Sequence, residues 1–167
     1  MAQDVSTIIE AEPTTGLKLN SSKCEIVMED FSKLEHLDIF KNFIPVPKDN
    51  LTLLGAPIPQ DTTLDKALGT KVDDLERAIG RIKLLRANDA LVLLKNSISI
   101  PKLLYLLRTS NCFNHPQLLK FDKVLKGGLS AILNVDYDVT QWMQATLPVK
   151  DGGLGIRCAN TLATSAF

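Results

Sequence analysis

The most regular pattern in the chain is a row of apolar residues, Leu64, Leu68, Val72, Leu75, Ile79, Ile82 and Leu85, recurring every three or four positions. That period predicts one long amphipathic helix, with Asp61 or Thr62 as its cap. Gly69 and Gly80 weaken it and mark bends or close approaches. Residues 89–94 begin a second helix, and Pro101 starts or kinks a third that continues to Arg108. Asn114-His115-Pro116 has the form of a helix start with proline in the first turn. The helix it opens carries Leu118, Phe121, Leu125, Leu129 and Ile132, with Gly127-Gly128 as an interruption. A short helix is expected around Trp142 over residues 140–145, capped by Asp138. A turn at residues 150–153 follows, and residues 158–167 form the first turns of a last helix.

The first third reads differently. Val5, Ile8 and Ile9 share a helical face over residues 4–12, which Pro13-Thr14-Thr15-Gly16 ends. Leu17 and Leu19 alternate with Lys18 and Asn20, and residues 24–28 read as a strand. Residues 29–36 are polar, with Phe31, Leu34 and Leu37 at helical spacing. Pro45 and Pro47 make residues 42–50 extended or looped. Residues 51–58 read as two short strands pinched at Gly55. The expected fold class is α+β, mostly α, with a small antiparallel β element ahead of the helices.

Composition narrows the function classes. With 167 residues, 45% hydrophobic and 23% charged, the chain suits one medium globular domain. Formal net charge is zero, so contact with nucleic acid must come from local patches. One Trp, two Tyr and six Phe limit base stacking. Cys24, Cys112 and Cys158 are irregularly spaced and far from a paired-ligand pattern with His36 or His115. Neither a zinc site nor a disulfide framework is expected, and the cysteines read as small buried hydrophobes. No signal peptide and no apolar stretch of bilayer length is evident, so a soluble intracellular protein without membrane contact is expected, nucleus and cytoplasm left open.

The common catalytic motifs are absent: no dinucleotide or phosphate-binding glycine loop, no nucleophile elbow, no paired-histidine metal motif. Asp73-Asp74 is the one adjacent aspartate pair, inside the long helix and beside Glu76 and Arg77. It reads as a solvated face rather than a metal site.

The order of segments is more informative. GLKLNSSKCEI (residues 16–26), then LLGAPI (residues 53–58), then a helical block containing KLLYLLRTS, then QATLPVKDGGLGIR (residues 144–157) resembles the reverse transcriptases of non-LTR (LINE-like) retrotransposons. The resemblance extends from about Asp4 to Phe167. It implies a residual palm and primer-grip segment over residues 1–60, a helical thumb-like region over 61–134, and a thumb-following linker over 135–167. The family's metal-binding aspartates, upstream and in an aromatic-x-Asp-Asp turn, have no counterpart here; Phe121-Asp122 is followed by Lys123. Two-metal phosphoryl transfer needs those carboxylates. The chain is therefore expected to be a fragment of an RNA-directed DNA polymerase, inactive alone, binding no cofactor itself, whereas the complete family enzyme uses Mg²⁺. The alternatives are a non-catalytic nucleic-acid-binding module and a functionless pseudogene product.

The same resemblance marks candidate residues. Lys23 matches the palm lysine that offsets charge on leaving pyrophosphate, a role open only in a complete enzyme; otherwise it is a solvated lysine. Leu53, Leu54 and Gly55 match the primer-grip turn, or form a hairpin needed only for the fold. Arg77, Arg81, Lys83 and Arg86 lie along the long helix, where a thumb meets duplex phosphates. Asp65, Asp73, Asp74 and Glu76 on that helix favour a solvated surface instead. Trp142 reads as a core anchor. Gly152-Gly153 and Gly155 ahead of Arg157 form either a phosphate-contacting loop or a structural turn. The partners implied are an RNA–DNA or DNA duplex, bound weakly, and a second copy of the chain through an unpaired strand edge at residues 24–28.

Overall fold

The computed structural model of the protein describes residues 2–28, 38–58 and 62–167. Asp61, His36 and the helical spacing of Phe31, Leu34 and Leu37 lie outside the described residues. The chain forms two compact units, Met1–Leu51 and Thr52–Phe167.

The first unit opens with α1, Ala2–Thr15, which runs past Pro13 with none of its residues buried. Proline there removes one N–H from an exposed helix, so the helix continues for two residues before stopping. A 3₁₀ turn, Ser21–Lys23, leads into β1, Glu25–Val27. β1 pairs in parallel with β2, Ile44–Val46, with Ile26 opposite Pro45. One edge of the strand expected to be unpaired is therefore engaged. Ile26 and Phe40 supply the buried apolar positions, and Phe43 meets Phe40 edge to face at 5.3 Å.

The second unit opens with a minimal antiparallel hairpin, β3 Thr52–Leu53 and β4 Ala56–Pro57, with Leu53 opposite Ala56. Helices follow: α2 Thr62–Ile82, α3 Ala87–Leu93, a π turn over Leu94–Ile98, α4 Ile100–Thr109, α5 Pro116–Leu133, α6 Val139–Thr146 and α7 Ala159–Ala166. The architecture is mostly α with small β elements, the expected class.

The core lies where α2 meets α5. Leu64, Leu68, Val72, Leu75, Ile79 and Ile82 are buried along α2, as its period requires. They face Leu118, Phe121, Leu125 and Leu129 of α5, which belong to the same cluster. Leu85 departs from the pattern: it is exposed, because α2 ends at Ile82. The amides of Leu84 and Leu85 close back on Arg81 and Ile82 in tight three-residue steps, a common way for a last turn to finish. Arg86 then turns extended (ψ 141°) to begin α3. Thr62 lies inside α2 rather than ahead of it.

The glycines behave differently from expectation. A Cβ at Gly80 would meet nothing within 4 Å, and one at Gly69 would make only ordinary contact, so neither marks a close approach. Gly127-Gly128 does not interrupt α5, which is continuous from Pro116 to Leu133. A Cβ at Gly128 would collide with the Ile79 side chain across the seam, whereas Gly127 faces open space. The close helix approach offsets the helix-weakening cost of Gly128.

Residues 87–109 form a helical stretch of 23 residues, bent at Ser99, that holds an 18-residue window of mean hydropathy 1.4, long and apolar enough by length and composition to cross a bilayer. This corrects the sequence reading that no such stretch exists. Its apolarity has a destination in the fold: Ala90, Leu94, Ile100, Leu103, Leu106 and Leu107 are buried in the shared core.

His115 and Asp138 cap their helices as expected in position. The His115 imidazole accepts from the Gln117 N–H at 3.3 Å. Asp138 and Gln141 form a reciprocal capping box. Neighbouring Gly127 and Gly128 give opposite expectations. Gly127→Ala should raise unfolding free energy by about 0.5–1 kcal/mol, from helix propensity alone. Gly128→Ala should lower it by about 1–3 kcal/mol through overpacking against Ile79. Urea denaturation of the two variants checks both signs; equal shifts would contradict the close approach.

Candidate nucleic-acid interface

The structure distributes the four basic candidates over two elements. Arg77 and Arg81 are one turn apart on α2, on the side away from the buried row. Lys83 and Arg86 lie beyond its end, in the connection to α3, which corrects their placement on the helix. Arg77 donates to Asp74 Oδ1 at 3.0 Å; both side chains are well exposed, so the pair contributes little to stability. Arg81, Lys83 and Arg86 are exposed, and no ion pair engages them among the described residues. Asp65 is drawn away toward α5, accepting from Gln117 Nε2 at 3.1 Å. Three uncommitted cations therefore collect at the C-terminal end of α2 and the turn after it. Asp73-Asp74 gains no third ligand: no group of three or more His, Cys, Asp or Glu suited to a metal occurs among the described residues.

The hairpin tip is built by its backbone. Leu54 and Gly55 both have positive φ, 51° and 81°, the two left-handed positions of a type I′ turn. Glycine takes that conformation freely, whereas leucine is strained in it by about 1–2 kcal/mol. Leu54 is 89% exposed and Leu53 63%, so the tip presents apolar side chains without burying them. The Tyr105 hydroxyl donates to the Leu54 carbonyl at 2.5 Å, tying the turn to α4. The tip carries no charge; it can abut a sugar or base edge but cannot neutralise a phosphate. Lys23 belongs to the other unit, where it closes the 3₁₀ turn with an exposed side chain.

The glycine loop resolves as a structural turn. The amides of Gly152, Gly153 and Gly155 are taken by the carbonyls of Val149, Pro148 and Leu147. None is left to donate to a phosphate. Trp142 is half-buried against the core, as an anchor.

A polar cluster that the sequence does not reveal joins α5 to α7. Asp122 accepts from the amides of Ala159 at 2.6 Å and Asn160 at 3.1 Å. It caps α7 from another helix, because Cys158 at the N-cap position makes no side-chain cap bond. Burial raises the Asp122 carboxyl above its ordinary value, against the pull of the two amides. Burial and the Asp122 charge push the Cys158 thiol up to about 11, while a hydrogen bond with Trp142 acts the other way. At neutral pH this thiol is protonated and is no activated nucleophile.

The fold and this surface define a mostly helical α+β protein with a basic patch and an exposed hairpin. No protein-family model, curated protein or solved structure matches the chain.

Two measurements follow from the geometry. Leu54→Asn relieves the left-handed leucine and should raise stability by about 1 kcal/mol. If the leucine serves a ligand, the same variant loses affinity while gaining stability; unchanged stability would contradict the strained turn. Cys158 should react with iodoacetamide at pH 8 at least about tenfold more slowly than an unperturbed thiol, and Asp122→Asn should speed it. Equal rates, followed by mass spectrometry, would count against the depressed thiolate.

Proposed function

We propose that this chain corresponds to the primer-grip and thumb-side portion of a non-LTR retrotransposon reverse transcriptase, catalytically silent by itself and able to hold a duplex weakly. The observation that carries the reading is the order of its segments. Leu53-Leu54-Gly55 forms a projecting hairpin, and a helical block with uncommitted Arg81, Lys83 and Arg86 follows it. An apolar hairpin tip and a separate basic helix end offer the different partners that the sugars and phosphates of a backbone need. The silence is proposed from the sequence, which lacks an aromatic-x-Asp-Asp turn; without that carboxylate set the two-metal step cannot be assembled. The non-catalytic binding module is the same proposal without an enzyme around it, and the uncommitted cations favour it over a functionless product.

The purified chain should give no primer extension on an RNA template with Mg²⁺ or Mn²⁺. It should bind an RNA–DNA hybrid without sequence preference, and lose affinity as salt rises. Arg81→Ala with Lys83→Ala should reduce the slope of log K against log salt by about two units, nearly one per phosphate contact. Chelator-sensitive extension would overturn the catalytic part. Binding undetectable at low salt, or an unchanged slope, would overturn the duplex part.

A further inference from the structure

A cleft of about 480 Å³ opens where the π turn meets the loop after α6. Two cations line it, Lys95 and Arg157, with no carboxylate among the lining residues. Neither cation has an ion pair among the described residues. Lys95 is half-buried, and its ammonium lies against the backbone of Gly155, so close that a Cβ there would sit 2.7 Å from Nζ. The ammonium borders the cleft with no anion beside it, so an anion supplied from outside can pair with it.

The backbone explains how the cleft forms. The Ser99 amide reaches the Leu94 carbonyl at 3.1 Å, a five-residue step. Such π turns are uncommon and recur at functional sites. The widened turn carries Lys95 and Asn96 into the lining and is followed by Ser99, which is only 2% exposed yet borders the cleft. Thr146 also lines it, with its hydroxyl already donating to the Met143 carbonyl at 2.7 Å. Two cations with the Ser99 hydroxyl and the Asn96 amide suit the spread oxygens of a phosphate. The remaining wall is apolar, with Ile100, Pro101, Leu104, Pro148 and Val149. A volume in this range suits a small organic ligand rather than a bare ion.

We infer that this cleft binds a nucleotide unit, its phosphate held between Lys95 and Arg157 and its sugar or base against the apolar wall. The inference rests on the nucleic-acid reading above and assigns it a second contact, separate from Arg81 and Lys83. The unit is either part of a single strand or a free nucleotide; both offer the same phosphate.

The test is amide chemical-shift mapping of the full chain with three probes: adenosine monophosphate, single-stranded oligodeoxythymidylate and inorganic phosphate. The amides of Asn96, Ser99, Gly155 and Arg157 should move with the nucleotide or the oligonucleotide. Lys95→Ala and Arg157→Ala should each weaken that binding about tenfold, as loss of a charge-assisted contact does. Lys95→Met, which keeps the aliphatic stem, replaces the alanine variant if the turn is disturbed. Response to the oligonucleotide alone assigns a strand, and preference for the monophosphate assigns a free nucleotide. The assignment is overturned if these amides are silent to both at about 10 mM, if inorganic phosphate binds equally well, or if the variants bind as the parent does. The duplex reading fails separately: cleft shifts with adenosine monophosphate but no hybrid binding would remove the thumb surface and keep the cleft. Hybrid binding with a silent cleft would do the reverse.

Discussion

The larger unit depends on how closely α2 can approach α5. One position sets that distance: Gly128, whose missing side chain leaves room for Ile79. Above and below it, leucines from both helices close a continuous apolar seam. The seam orders the surroundings as well. It fixes the end of α2, where the uncommitted cations gather, and it gives the helices from Ala87 to Thr109 a buried surface to lie on. Cores are packed too densely to absorb an added methyl group without a shift, so the seam constrains everything attached to it.

Much of this was legible in the sequence because it is local. A row of apolar residues every three or four positions locates the buried face of α2 from Leu64 to Ile82. Asn114-His115-Pro116 and Asp138 mark helix starts by residue chemistry alone. Where the reading failed, something other than the apolar period decided. Gly127-Gly128 signals a break when seen alone, but contact with α2 holds the helix through it. Leu85 continues the period yet lies outside the helix, since Arg86 turns extended to start α3. Tyr105 gives no sign in sequence that its hydroxyl reaches a turn 51 residues earlier.

The candidate surface divides in the same way. The sequence names the hairpin residues and the basic residues, because turn chemistry and charge are visible in one dimension. It does not show which cations are already neutralised. Arg77 is paired within its own helix, whereas Arg81, Lys83 and Arg86 are not. Likewise the glycines before Arg157 suggest a phosphate loop until their amides are traced to neighbouring carbonyls. What the fold adds is a ledger of commitments, and the groups left uncommitted are the ones available to a ligand.

The cap that Asp122 places on α7 has a consequence for how the chain assembles. An eight-residue helix is too short to persist in water by its own hydrogen bonds. Its first turn is completed by a carboxylate 37 positions earlier in the chain, on a helix that must already be formed to present it. The last helix is therefore conditional on the fifth. Without the α5 carboxylate, the first-turn amides of Ala159 and Asn160 lose their partner.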